Sequence, residues 1–197
     1  MIGVVDYEAG NIRSVSNALE SIGARFLVTA RRNELDGCSG IILPGVGAAP
    51  GAMAALNQTG LTGYLKDVRK PFLGICLGMQ LLFESSEEGD TPGLGVLPGS
   101  VRRFDPALVP KVPHMGWNVV AWSSDTLAAG REYYYFAHSY YAEPGEWTVG
   151  ISSDGVPFSA AVHRDNFWGV QFHPEKSGRH GLTLLTNFVT ICLSSHP

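Results

Sequence analysis

Residues 72–83 read FLGICLGMQLLF and decide the fold, because an apolar strand passes through a cysteine into an amphipathic helical run over residues 79–83. Cys76 stands at the junction, with Gly74 two residues before it and Gly78 two residues after it. Small residues on both sides permit the tight turn that presents a nucleophile, and the helix N-terminus beside it favours a thiolate. The pattern therefore predicts a nucleophile elbow at Cys76, with a cysteine that only packs as the common alternative.

A base and a carboxylate follow another predicted strand far along the chain. Residues 167–172 read FWGVQF, an apolar strand, and end in His173-Pro174-Glu175. Pro174 cannot extend a ladder and restricts the residue before it, so the strand should stop at His173. If the fold brings these side chains beside Cys76, they form a nucleophile, a base and an orienting carboxylate. On its own, His-Pro-Glu is more often a surface turn.

Composition narrows the classes of protein. With 197 residues and 45% hydrophobic content, the chain can bury a full core, and we expect one domain over residues 1–197. The net charge is −4 without a cluster of Lys and Arg, so nucleic acid and anionic membranes are poor partners. No basic leader or spanning apolar run is visible, and three widely spaced cysteines fit reduced thiols without metal-ligand spacing. We expect a cytoplasmic protein.

The first half of the chain alternates predicted strands and helices. Strands are expected at residues 2–7, 26–29 and 40–43 and before Cys76, with helices between them. Asn11 is expected to cap a helix that Gly23 stops. This alternation favours a parallel sheet with helices on both faces, whose sites lie at the carboxyl ends of the strands.

The second half changes to strands that follow one another through turns. They are expected at residues 101–104, 117–122, 132–141, 147–152, 158–162 and 167–172, and a closing helix at about 182–193 buries Cys192. Cys38 lies in a Gly-Ser turn and is interpreted as incidental. The predicted fold class is therefore α/β, with a central, mostly parallel sheet, flanking helices, and a mixed or antiparallel extension in the second half.

Five segments together resemble the class I, or triad, glutamine amidotransferase family. They are Asp6-Tyr7 with Gly10-Asn11, PGVG at residues 44–47, residues 74–89, PHMGWN at 113–118 with FAHSYY at 136–141, and residues 171–181. They span nearly the whole chain in the family's order. PHMGWN, HSYY and the Asn11 turn are similar to one branch of the family, the glutaminase subunits of imidazole glycerol phosphate synthases.

The resemblance implies hydrolysis of the glutamine side-chain amide to glutamate and ammonia, without a metal or cofactor. Cys76 would attack the amide carbon, His173 would transfer the proton to the departing ammonia, and Glu175 would hold the imidazole while water cleaves the thioester. The amide of Leu77 and one from Gly45-Val46-Gly47 would stabilise the oxyanion.

The resemblance also assigns binding residues. Gln80 and Glu88 would hold the α-carboxylate and α-ammonium groups of glutamine, and the backbone at Ser139 and Tyr140 would close the pocket. Each has an ordinary alternative, such as a solvated Gln80 or a Glu88 that is one of an exposed acidic pair. Ala49 replaces the aromatic residue usual in the family, which predicts looser packing behind residues 45–47.

The implied partner is a cyclase subunit, a (β/α)8 barrel that receives the ammonia, so that the two chains form a heterodimer. Six residues match positions that face the barrel in the family: Asn11, Met115, Trp117, Asn118, Tyr135 and Lys176. We expect the isolated chain to be nearly inactive, because glycines at residues 45–47 let the loop point its amides either way until the partner binds.

Three alternatives remain open. The chain could be the glutaminase subunit of another pathway, such as pyridoxal phosphate or anthranilate synthesis, although PHMGWN is not expected there. It could be a non-catalytic binding module on the same fold, an interpretation that the presence of Cys76, His173 and Glu175 disfavours. A stand-alone cysteine hydrolase would turn over without a partner.

Overall fold

The computed structural model describes residues 1–7 and 11–194, so Gly10 of the Gly10-Asn11 pair lies outside the described residues. The strands are β1 (Ile2–Val5), β2 (Phe26–Thr29), β3 (Gly40–Leu43), β4 (Phe72–Ile75), β5 (Phe83–Ser86), β6 (Thr91–Pro92), β7 (Leu97–Arg103), β8 (His114–Trp122), β9 (Arg131–His138), β10 (Tyr140–Ala142), β11 (Thr148–Asp154), β12 (Val156–Arg164) and β13 (Phe167–Val170). The α-helices are α1 (Ile12–Ser21), α2 (Arg32–Asp36), α3 (Ala49–Gln58), α4 (Leu61–Asp67), α5 (Leu77–Gln80) and α6 (Gly178–Ser194).

The main sheet has nine strands in the order β2-β1-β3-β4-β13-β12-β11-β8-β9. Its first five strands are parallel neighbours, and from β13 to β9 each pair is antiparallel. The predicted mostly parallel sheet with an antiparallel extension is therefore confirmed. Strands β4 and β13 lie side by side, which brings the segments after Ile75 and Val170 to the same edge.

Helices cover both faces of the sheet, because successive apolar residues of the parallel strands point to opposite sides. In β4, Phe72 belongs to the cluster that contains α3 and α4, whereas Leu73 belongs to the cluster that contains α1 and α6. The second cluster also holds the aromatic residues of the antiparallel strands, among them Phe104, Phe136 and Phe158. The predicted burial of Cys192 on the closing helix is confirmed.

A second sheet, in the order β10-β7-β5-β6, was not expected from the sequence. The prediction of one strand over residues 132–141 was wrong, because the chain leaves the main sheet after His138 and enters the second sheet at Tyr140. The carbonyl of Ser139, between them, accepts a hydrogen bond from Phe104 N at 3.0 Å. Aromatic residues stand on both sides of Ser139, so the sequence gives no sign of this change of sheet.

Two expectations about helices also fail. The helix after Cys76 ends at Gln80, and Phe83 begins β5, because the buried apolar run suits a strand as well as a helix. Asn11 occupies the cap position of α1 without a side-chain capping bond, and its Nδ2 instead donates to Glu175 Oε1 at 2.9 Å. Among residues 1–7 and 11–194, no helix is both long and apolar enough to cross a membrane.

Candidate active site

Cys76 sits on a sharp turn between β4 and α5, with φ of 53° and ψ of −107°. Gly74 and Gly78 leave no room for a side chain. A Cβ on Gly74 would lie 2.5 Å from the Gly78 carbonyl oxygen. A Cβ on Gly78 would lie 1.9 Å from the oxygen of Leu43. A non-glycine residue in this backbone conformation is strained, which is typical of a functional turn. The helix is a single turn, so its dipole adds little at Cys76.

His173 follows β13 and is held on three sides. Its amide donates to the Tyr135 carbonyl at 2.8 Å, and its own carbonyl accepts from Ser177 Oγ at 2.6 Å. Its Nδ1 lies 2.8 Å from Glu175 Oε1, and both side chains are almost completely buried. With Nδ1 donating to the carboxylate, the free lone pair is on Nε2.

The charge state of His173 follows from its neighbours. Burial alone would lower its pKa, but hydrogen bonds and negative charge from Cys76 and Glu175 outweigh burial and raise the pKa to about 10. The imidazole therefore holds a proton strongly when a thiolate faces it. This is the electrostatic requirement of a base that takes a proton from a thiol.

A cleft of about 290 Å³ lies over the sulfur. Nine predicted site residues line it, namely Val46, Gly47, Cys76, Leu77, Gln80, Glu88, Ser139, Tyr140 and His173, together with Met115 and Lys176 from the predicted partner face. Glu175 is behind His173 and does not line the cleft. Cys76 is 6% exposed, so the turn presents its sulfur to this cleft and not to open solvent.

A larger cavity of about 740 Å³ lies elsewhere, and its lining includes Lys70, Pro71 and Asn166. These residues precede β4 and β13, whereas Cys76 and His173 follow those strands. The larger cavity is therefore at the opposite edge of the sheet, and ligand sites in such sheets lie at the carboxyl ends of the strands. We assign the candidate active site to the smaller cleft.

Gly45 and Gly47 are glycines for two different structural reasons. Gly47 has a positive φ of 104°, whereas Gly45 does not have a positive φ. Gly45 is required by close approach instead, because a Cβ there would lie 2.7 Å from Gly78 N. Tyr7 also holds this loop, since its hydroxyl donates to the Pro44 carbonyl at 2.7 Å. Burial, followed by the charge of Cys76, raises the pKa of Tyr7.

The predicted glutamine-binding side chains are partly engaged within the protein. Glu88 Oε2 accepts a hydrogen bond from Ala49 N at 2.8 Å, at the start of α3. Gln80 Nε2 donates to the Tyr140 carbonyl at 2.9 Å and to Gln171 Oε1 at 3.1 Å. Both amide hydrogens of Gln80 are thus used, which leaves its carbonyl oxygen for a ligand and favours an ammonium group over a carboxylate.

The predicted partner residues divide into two groups. Met115 and Trp117 are 62% and 56% exposed, the Trp117 and Tyr135 rings lie 6.2 Å apart, and Lys176 Nζ is 6.0 Å from the Tyr135 ring. Lys176 is also exposed and Tyr135 is half-buried, so these four form one largely exposed surface beside the cleft. The other group makes internal contacts: Asn11 Nδ2 donates to Glu175 Oε1 at 2.9 Å, and Asn118 Nδ2 donates to the Ser153 carbonyl at 2.9 Å.

Sequence reasoning gave no role to several residues that support the site. Tyr7 holds Pro44, Ser177 accepts from Tyr135 N at 3.0 Å, and Gln171 Nε2 lies 3.7 Å from Cys76 Sγ. Each stands inside one of the five family-like segments, but their contacts come from distant parts of the chain, so spacing could not reveal them. In the part of the chain that the structure describes, no group of three His, Cys, Asp or Glu residues could hold a metal ion.

Comparison with known proteins agrees with this geometry. The model of the glutamine amidotransferase class-I family matches residues 3–192. The imidazole glycerol phosphate synthase subunit HisH of Desulfitobacterium hafniense is 52% identical over 199 residues, covering 95% of this chain and 93% of that protein. The HisH subunit of Bacteroides fragilis strain ATCC 25285 is 44% identical, covering 96% and 99%.

Solved structures have the same fold at low sequence identity. A crystal structure of a glutamine amidotransferase has a TM-score of 0.77 at 18% identity, covering 97% of this chain and 98% of that one. The structure of PurLQS from Thermotoga maritima has a TM-score of 0.72 at 22% identity, covering 96% and 97%. The fold and the elbow define a glutamine amidotransferase. The chain belongs to the class I glutamine amidotransferase family.

Proposed function

We propose that this chain is the glutaminase subunit of an imidazole glycerol phosphate synthase and supplies ammonia for histidine biosynthesis. The HisH relatives support this assignment over nearly their full lengths. The single observation that carries the chemistry is the His173 Nδ1 to Glu175 Oε1 hydrogen bond of 2.8 Å beside the Cys76 elbow. A thiol, a base and an orienting carboxylate in this order suit attack on an amide carbon.

The mechanism that we propose has two halves. Cys76 Sγ attacks the side-chain amide carbon of glutamine while His173 Nε2 takes the thiol proton and passes it to the departing ammonia. A γ-glutamyl thioester remains. Water, deprotonated by His173, then attacks the thioester and releases glutamate and the thiol. Glu175 holds Nδ1 throughout and stabilises the imidazolium that forms.

We propose backbone donors for the oxyanion and the residues of the cleft for the substrate. The amide of Leu77 and one amide of Gly45-Val46-Gly47 would face the tetrahedral oxygen, and one such donor typically contributes about 3 kcal/mol. The oxygen of Gln80 and the carboxylate of Glu88 would meet the α-ammonium group, and the backbone of Ser139 and Tyr140 would bound the pocket. The chemistry requires no metal or cofactor.

The partner that we propose is the cyclase subunit, a (β/α)8 barrel, in a heterodimer. It would cover the exposed surface formed by Met115, Trp117, Tyr135 and Lys176, since aromatic groups with a polar rim are typical of an interface. Asn11 and Asn118 would support this face through their internal contacts. We further propose that residues 1–197 act as one domain in the cytoplasm, which fits the free thiols of all three cysteines.

One experiment tests the function. Glutamate release is measured with the chain alone, then with a cyclase subunit, and then with the cyclase and its ribonucleotide ligand. We expect strong activation that requires both additions. Full turnover by the chain alone would favour the stand-alone hydrolase, and activation only by a partner from another pathway would favour the alternative glutaminases.

A further inference from the structure

The carbonyl oxygen of Tyr140, at the wall of the cleft, fixes the orientation of two side chains. It lies 2.8 Å from His138 Nδ1 and 2.9 Å from Gln80 Nε2. A carbonyl oxygen can only accept, so His138 must carry its proton on Nδ1, and the Gln80 atom must be its amide nitrogen. The chemistry of one backbone oxygen therefore settles both assignments.

From Gln80 the hydrogen bonds continue to the nucleophile. The second hydrogen of Gln80 Nε2 meets Gln171 at 3.1 Å, so Gln171 must present its oxygen there. The nitrogen of Gln171 then points the other way and lies 3.7 Å from Cys76 Sγ. Gln171 is completely buried and Gln80 is 6% exposed, so water does not compete well with these contacts.

A second series of hydrogen bonds starts from the Tyr140 carbonyl and passes through two buried histidines, His138 and His114. With Nδ1 protonated, His138 Nε2 accepts from His114 Nδ1 at 3.0 Å. His114 Nε2 in turn accepts from Asn118 Nδ2 at 3.3 Å, and Asn118 is held by the Ser153 carbonyl. Burial lowers the pKa of both imidazoles, that of His138 to about 3, so both stay neutral and keep this direction of donation.

We propose that Gln171 is a further catalytic residue, which donates a hydrogen bond to the Cys76 sulfur, and that Gln80 and His138 are positioning residues that aim its amide. This inference rests on the proposed role of Cys76 as the nucleophile. Hydrogen bonds to charged groups are stronger than those to neutral ones, so the contact favours the thiolate over the thiol and the thioester. Thiolate is both the attacking species and the group expelled when water cleaves the thioester.

The other groups that face the sulfur do not replace this donor. His173 approaches from the segment after β13, with Glu175 behind it, and Tyr7 approaches from the end of β1, where its hydroxyl already donates to the Pro44 carbonyl. The Ala137 carbonyl, 3.9 Å from Sγ, can only accept. Gln171 is thus an uncharged N–H donor to the sulfur that persists whether His173 carries a proton or has given it away.

The first test measures the rate at which iodoacetamide alkylates Cys76 at pH 7, because only the thiolate reacts. Cys76→Ala supplies the background from Cys38 and Cys192. Gln171→Leu, which removes the donor, should slow alkylation by about tenfold or more, which corresponds to the lower end of the range for a hydrogen bond to a charged group. Gln171→Glu, which has the same shape but turns a carboxylate oxygen towards the sulfur, should slow it at least as much and serves if the leucine variant fails to fold.

The second test uses a matched pair at His138. His138→Asn and His138→Leu lose the same ring and have nearly equal size, but only Asn places an N–H where Nδ1 was. Alkylation and the kcat for glutamine in the assembled complex should fall severalfold in the Leu variant and stay near wild type in the Asn variant. In the Leu variant KM should change less than kcat, since the sulfur contact acts on the reaction and not on substrate binding.

Two outcomes overturn the inference. Wild-type alkylation rates in both Gln171 variants would show that the amide does not act on the sulfur. Equal losses of alkylation rate and kcat in the Asn and Leu variants of His138 would show that His138 acts only through packing. Alkylation needs neither glutamine nor a partner, so the result stands apart from the proposed function, which would fail instead if Cys76→Ala kept its glutaminase activity.

Discussion

The carboxamide of Asn11 donates to Glu175 Oε1 at 2.9 Å, and the same oxygen accepts from His173 Nδ1 at 2.8 Å. Asn11 precedes α1, and Glu175 follows β13, so the N-terminal part of the chain holds the carboxylate of the candidate triad. The resemblance placed Asn11 at the partner face. The structure adds an internal contact by which a change at that face can reach the imidazole.

Asn11→Ala should lower the kcat for glutamine in the assembled complex by about three- to tenfold, because a lost neutral-to-charged hydrogen bond leaves Glu175 less well oriented. Asn11→Asp should cost more, since it places a second carboxylate against Glu175. Steady-state kinetics and a titration of the partner separate the two roles. Unchanged kcat with weaker association would leave Asn11 as an interface residue only.

Cys76→Ala should abolish glutamine hydrolysis while the assembled complex still forms product from added ammonium. In the proposed function the thiol serves ammonia production alone, and the cyclase subunit would perform the later chemistry. Cys38→Ala is the matched control, because Cys38 is also a free and buried thiol but lies away from the cleft. Glutamate released by Cys76→Ala at near the wild-type rate would make Cys76 a packing residue.

Lys176→Ala should weaken binding of the cyclase or its coupling to glutamine hydrolysis. Lys176 is exposed at the mouth of the cleft with its Nζ 6.0 Å from the Tyr135 ring, and we expect it to pair with a carboxylate of the barrel. Lys66→Ala, an exposed lysine on α4, controls for the loss of one charge. The measurements are the association constant with the cyclase and the coupled glutaminase activity. If both stay at their wild-type values, the placement of Lys176 at the interface is contradicted.

Much of this architecture could be predicted because the signals are local. The glycines around Cys76 and the proline after His173 determine backbone conformation within a few residues, and the alternation of strands and helices gives the parallel sheet. The rest depends on contacts between distant segments. Gly45 is a glycine because of Gly78, more than thirty residues away in sequence. The Gln171 side chain contacts Gln80, which in turn donates to a backbone carbonyl of the second sheet.

The buried His138 predicts a pH dependence of stability. Its pKa falls from an ordinary value near 6.5 to about 3 on folding, because burial and the nearby His114 and His173 outweigh its bond to Tyr140. Between these values the unfolded state binds the extra proton, so the contribution to stability is complete above pH 6.5 and is lost as the pH falls towards 3. The slope is at most about 1.4 kcal/mol per pH unit.

Denaturant unfolding between pH 7 and pH 4 tests this slope, with His138→Asn as the comparison. The Asn variant should lose less free energy of unfolding on acidification than the wild type, because Asn takes up no proton. The carboxylates titrate in both proteins and cancel in the difference. Parallel pH profiles would show that His138 is protonated in the folded state or that His114 carries the whole effect.

The last prediction concerns the loop at residues 45–47, which we propose gates the enzyme. Free hydrolysis would waste glutamine, so the second oxyanion donor should form only when the barrel and its ligand are bound. Gly47 has a φ of 104°, and a Cβ at this position would meet no atom within 4 Å, so the residue has the freedom that such a change needs. Gly47→Ala would strain that conformation by on the order of 1–3 kcal/mol and shift the loop towards another.

We therefore expect Gly47→Ala to fold normally but to change the activation by partner and ligand, mainly in kcat, since the donor acts on the transition state. Gly51→Ala is the matched control, because Gly51 lies in α3 without a positive φ or a close neighbour. Gly45→Ala should instead reduce stability and activity together, because its Cβ would meet Gly78 N at 2.7 Å. Normal activation in Gly47→Ala, or activation confined to KM in the wild type, would contradict the gating proposal.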